Sequence, residues 1–174
     1  MDKEEILIKA GKEYFYSGDD EFNKARYKYV VFNDGDGQFD FSEISGFIEK
    51  IGNADMVIGF RKKRLDNSLR HILMNLLKIW DLFFFGFNFK DIDCGFKLFR
   101  KDALLKIMPF KSEGAMITTE ILAKAKRKKL KIAQVEVSHF PRLYGDQSGG
   151  NLRVIVRAIR ESFALWWVLH YGRN

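Results

Sequence analysis

Apolar residues along the chain fall into short β-type runs alternating with stretches of helical spacing. Tyr29 to Phe32 is β-branched and aromatic and stops at Asn33-Asp34-Gly35-Asp36-Gly37, which predicts a buried strand delivering two carboxylates to a loop at its C-terminal end. Ser42 is the expected cap of a helix from Glu43 to about Ile51. Asp55 to Gly59 reads as a second strand, followed by a basic loop from Arg61 to Arg64. From Leu69 onward, apolar residues at 69, 72, 73, 76, 77, 80, 83 and 84 trace one helical face. Asp91 to Arg100 reads as loop then strand, and Lys101 to Met108 as a short helix ended by Pro109. Thr119 to Lys129 predicts a helix with a basic outer face. Lys131 to His139 predicts a strand, with Ile132, Val135 and Val137 set against Gln134, Glu136 and Ser138. Asn151 to His170 closes the chain as a helix with Arg153, Arg157 and Arg160 along one side. No internal repeat is visible, and the alternation of strand and helix predicts an α/β domain.

A length of 174 residues with 47% hydrophobic and 15% aromatic content suffices for one core, and the two prolines mark no internal linker. The formal charge of +7 points to anionic partners without choosing among nucleotides, nucleic acid and phospholipid heads. Its dispersal among apolar helices, away from any base-stacking sheet face, argues against nucleic acid. Cys94 is the sole cysteine, which suits a reducing compartment. Met1 to Lys12 lacks the apolar run of a secretory signal, so the expected location is cytoplasmic. The apolar stretch from Leu69 to Phe89 is interrupted by Arg70, His71, Lys78 and Asp81, whereas a bilayer span needs about 20 predominantly apolar residues. His71, His139 and His170 show no metal-ligand spacing, which argues against zinc.

Asp34 and Asp36, one residue apart among glycines, are suited to place hard oxygen ligands around a divalent cation that also grips a diphosphate. A calcium loop from Phe32 to Glu43 is the rival reading: Asp34, Asp36, Gly37 and Glu43 fall at positions three, five, six and twelve. It fails at position one, where Phe32 stands in place of a carboxylate, and because the entering segment is β-type.

Val30 to Asp40, containing Asp34, Asp36 and Gln38, resembles the Asp-x-Asp-x-Gln segment of family 2 glycosyltransferases, in particular the dolichol-phosphate mannosyltransferase and polyprenyl-phosphate branch. The likeness continues through Ala54 to Arg61, Asp93 to Phe99 and Val135 to Arg142, four blocks in order between residues 29 and 167. The resemblance implies a GT-A fold, a nucleotide sugar over the C-terminal edge of a mainly parallel sheet, and Mg²⁺ or Mn²⁺ held by Asp34, Asp36 and Gln38. It also implies hexose transfer with inversion to a polyprenyl phosphate, dolichyl or undecaprenyl. Arg61 and Arg70 stand where the family places phosphate-binding cations, and His139 and Arg142 near the acceptor. Asp36, Arg61 and Asp93 are the expected catalytic residues, with Lys97 and Ser148 added to the substrate-binding set.

Several alternatives stay open at this level. Lys97 can neutralise phosphate or pair with Asp93, Arg70 can be the polar side of a helix, and the loop carrying Arg142 and Ser148 can be plain surface. A lipid-phosphate acceptor is already anionic near neutral pH and needs no general base; a hydroxyl acceptor needs one, with Asp91 or Asp93 as candidates. Cys94 reads as a packing residue. Trp80, Phe83, Phe84, Phe85, Phe87 and Phe89, with the Trp-bearing helix from Arg153 to Trp167, suggest two elements at a lipid interface; contact with another subunit is the competing explanation. The family normally carries two strands and their helices ahead of the acidic loop. The expected division is therefore a remnant helix, Ile6 to Phe15, and an insertion within 1–28, a catalytic half over 29–150, and an amphipathic helix over 151–174. The sheet is expected to lack its first strands, as in a fragment or one half of a split enzyme. A non-catalytic membrane-associated subunit and a nucleotidyltransferase are the other functional readings.

Overall fold

A computed structural model describes residues 6–10, 27–35, 37–62, 79–80, 82–86, 89–112, 116–141 and 152–171, with the backbone alone over 6–10 and 152–158. Among the described residues five strands form one mixed sheet: β1 (Ile6–Ala10), β2 (Tyr29–Asn33), β3 (Met56–Arg61), β4 (Lys97–Arg100) and β5 (Ile132–Val137). Their order is β1-β2-β4-β3-β5. β1 runs parallel to β2 and β5 parallel to β3, while β4 is antiparallel to both β2 and β3. The helices are α1 (Ile44–Ile51), α2 (Lys101–Ile107), α3 (Met116–Arg127) and α4 (Leu152–Tyr171).

Alternation along the central strands sorts the core onto two faces. Val30, Phe32, Met56, Ile58 and Phe99 pack with Leu104, Ile107, Ile117, Ile121 and Leu122 from α2 and α3. Tyr29, Val31, Val57, Leu98 and Val137 pack with Phe47 and Ile51 from α1. Phe47 is fully buried and stacks on Phe96 at 4.4 Å between ring centroids. Burying such a side chain stabilises the fold by roughly 1.5–3 kcal/mol.

The structure departs from the sequence expectations in four places. Asp40, rather than Ser42, caps the turn before α1: its carboxylate accepts the Ser42 N–H at 2.9 Å, and Phe41–Glu43 form a single 3₁₀ turn ahead of α1. Arg61 is the last residue of β3, paired with Val137 of β5, and so belongs to the sheet and not to a basic loop. Ile6–Ala10, expected as the start of a helix, is an edge strand in register with Tyr29 to Asn33; β-branched isoleucines suit a ladder position. In β5 the apolar residues do not share a face: Ile132 packs with α2 and α3, whereas Val135 and Val137 pack with α1. The helix expected from Leu69 lies outside the described residues except at 79–80 and 82–85, which are helical.

Candidate active site

β2 ends at Asn33, and Asp34 leaves it at the C-terminal edge of the sheet. The Asp34 side chain lies directly on the backbone of Gly95, so that a Cβ built on Gly95 would overlap its carboxylate. Gly95 therefore lets the acidic loop and the 91–96 segment touch. Gly37 turns the loop at φ 74°, a conformation that favours glycine.

Asp91 is buried and takes Arg61 in a bidentate pair, Nε to Oδ2 at 2.6 Å and Nη2 to Oδ1 at 2.9 Å. Burial pushes the Arg61 guanidinium down, but the Asp91 bond and charge, reinforced by Asp93 and Cys94, leave it more strongly held in its charged form than an ordinary arginine. This pairing holds the end of β3 to the 91–96 segment. Asp93, in the same segment, is half-buried.

Lys97 is fully buried and donates to the Cys94 carbonyl. Burial lowers its affinity for a proton, against the opposing charges of Cys94, Asp34, Asp91 and Asp93. Lys97 is thus enclosed on the Cys94 carbonyl, with Asp34, Asp91 and Asp93 near enough to act on its charge. Cys94 is buried and burial pushes its thiol up to about 11, in keeping with a packing role. Its sulfur lies 2.8 Å from where a Cβ on Gly59 would stand, which explains glycine at that point of β3.

The far side of the acidic loop is joined to the segment after β5. The Gln38 carbonyl accepts the Phe140 N–H at 2.9 Å, and Gln38 Nε2 donates to the Phe140 carbonyl at 3.3 Å. Glu43 accepts the Ser138 N–H on both carboxylate oxygens, at 3.1 and 2.9 Å. Phe39 contacts the half-buried His139 ring at 5.6 Å. Of the expected site residues, Asp34, Gln38, Arg61, Asp93, Lys97 and His139 are described, and Asp36, Arg70, Arg142 and Ser148 lie outside the described residues. The contacts of Glu43 with Ser138 and of Gly95 with Asp34 escaped sequence reasoning, although Glu43 was weighed as the last position of a calcium loop and Gly95 lies in the Asp-Cys-Gly-Phe-Lys block.

Away from this edge, Trp80 donates to the Ser162 hydroxyl at 2.8 Å, and Trp80 and Phe84 pack edge-on against Phe163 of α4. Phe83 is 83% exposed, Ile79 64%, Trp167 61% and Tyr171 63%, so the joined helices turn an apolar face outward. Among the described residues no helix is long and apolar enough to cross a membrane.

No protein-family profile matches the chain. It is 32% identical over 137 residues to a dolichyl-phosphate beta-glucosyltransferase of Saccharomyces cerevisiae, covering 67% of this chain and 41% of that protein. It is also 29% identical over 145 residues to the low-salt glycan biosynthesis hexosyltransferase Agl6 of Haloferax volcanii, covering 79% of this chain and 35% of that protein. This similarity agrees with the resemblance of the acidic loop and its neighbouring blocks to family 2 polyprenyl-phosphate glycosyltransferases. A crystal structure of glucosyl-3-phosphoglycerate synthase from Mycobacterium tuberculosis, in complex with Mn²⁺, UDP-glucose and phosphoglyceric acid, matches with a TM-score of 0.59 at 12% identity, over 93% of this chain and 66% of that one. That likeness shows the GT-A-like fold expected from the acidic loop and its neighbouring blocks. The chain spans less than half the length of the two relatives named.

Proposed function

We propose that this chain forms the diphosphate and acceptor side of an inverting, metal-dependent glycosyltransferase that moves a hexose from a nucleotide sugar to a polyprenyl phosphate at a membrane surface. The observation that carries the reading is the contact of Asp34 with Gly95, which brings the acidic loop against Asp93 and Lys97 at the C-terminal edge of the sheet. Ligands of mainly parallel sheets bind outside that edge.

A divalent cation fits the donor chemistry only in part. Asp34 offers hard oxygens, as Mg²⁺ and Mn²⁺ prefer. Among the described residues no group of three or more His, Cys, Asp or Glu is arranged to hold a metal. A site would therefore draw on Asp36 beside Asp34, with Gln38 contributing if its amide leaves Phe140. When bound, the ion would supply charge neutralisation to a departing diphosphate. The protein's own groups orient the loop: Gly95 seats Asp34, Lys97 offsets the clustered carboxylates, and the Arg61–Asp91 pair fixes the end of β3. A phosphate acceptor, carrying about −1.5 to −2 charges at neutral pH, attacks without giving up a proton. Positioning and charge then account for the rate. A hydroxyl acceptor would instead call on Asp93 as base.

The membrane part of the proposal rests on the outward aromatic face of the 79–85 segment and α4, with exposed Lys126, Arg127, Lys128 and Lys129 at the end of α3. Lys126 reaches the Gly86 carbonyl, so the basic end lies beside the aromatic helix. Aromatic and cationic side chains together suit an anionic lipid interface.

The test is incubation of the protein with labelled nucleotide sugars, Mn²⁺ and polyprenyl phosphate in lipid vesicles, beside Asp34→Asn and Asp36→Asn. A lipid-linked product from the parent protein and none from either variant is expected. Equal product from all three proteins would remove the acidic loop from the mechanism.

A further inference from the structure

The outer edge of β5 is covered by the acidic loop and α1 in reverse order. The carbonyls of Lys131 and Val137 accept bonds from Asp55, Met56 and Lys62 on the β3 side, so the intervening even-numbered positions face away from the sheet. Gln134 among them, and Ser138 and Phe140 past the end of the strand, are met from α1 and the loop before it. Lys50 donates to the Gln134 carbonyl at 2.7 Å, Glu43 holds the Ser138 N–H, and Gln38 holds both backbone groups of Phe140. An uncovered edge would expose these groups to water or to another strand. Lys50 acts within the strand, whereas the other two act beyond its end, on either side of His139.

We infer that Glu43 is a positioning residue: by holding Ser138 while Gln38 holds Phe140, it fixes His139 against the acidic loop for acceptor binding. This rests on the glycosyltransferase reading above and gives Glu43 a task that reading does not assign. The Phe39–His139 ring contact lies between the two clamps and fixes the imidazole from the loop side. The carboxylate of Glu43 is engaged by the Ser138 N–H and acts through the backbone of residue 138. Gln38, expected as a ligand, contributes its amide to the same clamp.

The test measures acceptor and donor kinetics for the parent, Glu43→Ala, Glu43→Gln, His139→Ala, the double variant Glu43→Ala/His139→Ala, and Glu49→Ala as an exposed control on α1. Glu43→Ala is expected to raise the acceptor KM roughly tenfold, the scale of one charge-assisted hydrogen bond. Donor KM and kcat should stay within about twofold. Glu43→Gln, which keeps one acceptor oxygen, should recover most of the loss, and the double variant should be no worse than His139→Ala. An unchanged acceptor KM in Glu43→Ala, or effects that multiply in the double variant, overturn the inference while leaving the enzyme reading intact. Absence of turnover from the parent with every donor tried overturns the enzyme reading, and this inference falls with it.

Discussion

Replacing Gly95 by alanine is the sharpest perturbation available at the proposed site. The added methyl carbon would overlap the Asp34 carboxylate, far inside any contact that neighbouring atoms tolerate. Gly95 sits between buried Cys94 and buried Phe96, so the 91–96 segment has little room to retreat, and Asp34, half-buried in a glycine-rich loop, is the group that must move. Overpacking of this kind costs roughly 1–3 kcal/mol. A displacement of about 1 Å at a reacting centre lowers turnover on the order of a hundredfold. Gly95→Ala should therefore lose about a hundredfold in lipid-linked product while its urea midpoint falls only by the equivalent of those few kcal/mol. Gly52→Ala is the matched control, because nothing lies within 4 Å of a Cβ there and its φ of −58° suits alanine. That variant should be neutral or gain about 0.4–1 kcal/mol with unchanged turnover. Full activity in Gly95→Ala would refute the reasoning, since Asp34 could then be moved without consequence.

Breaking the Arg61–Asp91 pair with Asp91→Ala should destabilise by about 3–5 kcal/mol in urea unfolding, because it strands a guanidinium of which 9% is exposed. Glu120 is buried and accepts the Lys111 and Ser112 N–H groups and Lys124. Burial raises its pKa, but the Lys124 and Ser112 bonds outweigh this and leave it below the ordinary 4.5. A carboxylate depressed in the folded state stabilises above its unfolded value and loses that contribution as pH falls through the folded one. Thermal melts of Glu120→Gln should thus be lower at neutral pH and flatten between pH 4.5 and the acid limit; parallel curves would refute the assignment. Phe83→Ala and Trp167→Ala should each weaken flotation with anionic vesicles roughly tenfold without lowering the melting temperature, each removing one exposed aromatic worth about 1.5–3 kcal/mol when buried.

Much of the fold was legible because β2, β3 and β4 sit in the middle of the sheet, where runs such as Tyr29 to Phe32 have no reading but a buried strand. The edges were harder. β5 lies at one edge and only Val137 is fully buried, so its apolar residues divide between faces and blur the alternation. β1 occupies the other edge, and its five residues are short enough to pass for the start of a helix. At the site, Asp34 and the 91–96 segment were both visible as words in the sequence, but their contact was not: residues 34 and 95 meet only through the sheet. The same holds for Glu43 and Ser138, 95 residues apart. Arg61 stood out in the sequence as a cation beside a strand, but its pairing with Asp91 did not, being set by where β3 ends.

The reversed direction of β4 decides which end of the sheet its preceding segment visits. Running against its neighbours, β4 begins where β2 and β3 finish, and so hands Asp91 to Phe96 to the same rim as Asp34 and Arg61. A strand of four residues laid the other way in that slot would carry them to the opposite rim, about 13 Å off. One backward strand thus lets a loop that enters a strand and loops that leave strands share a single rim.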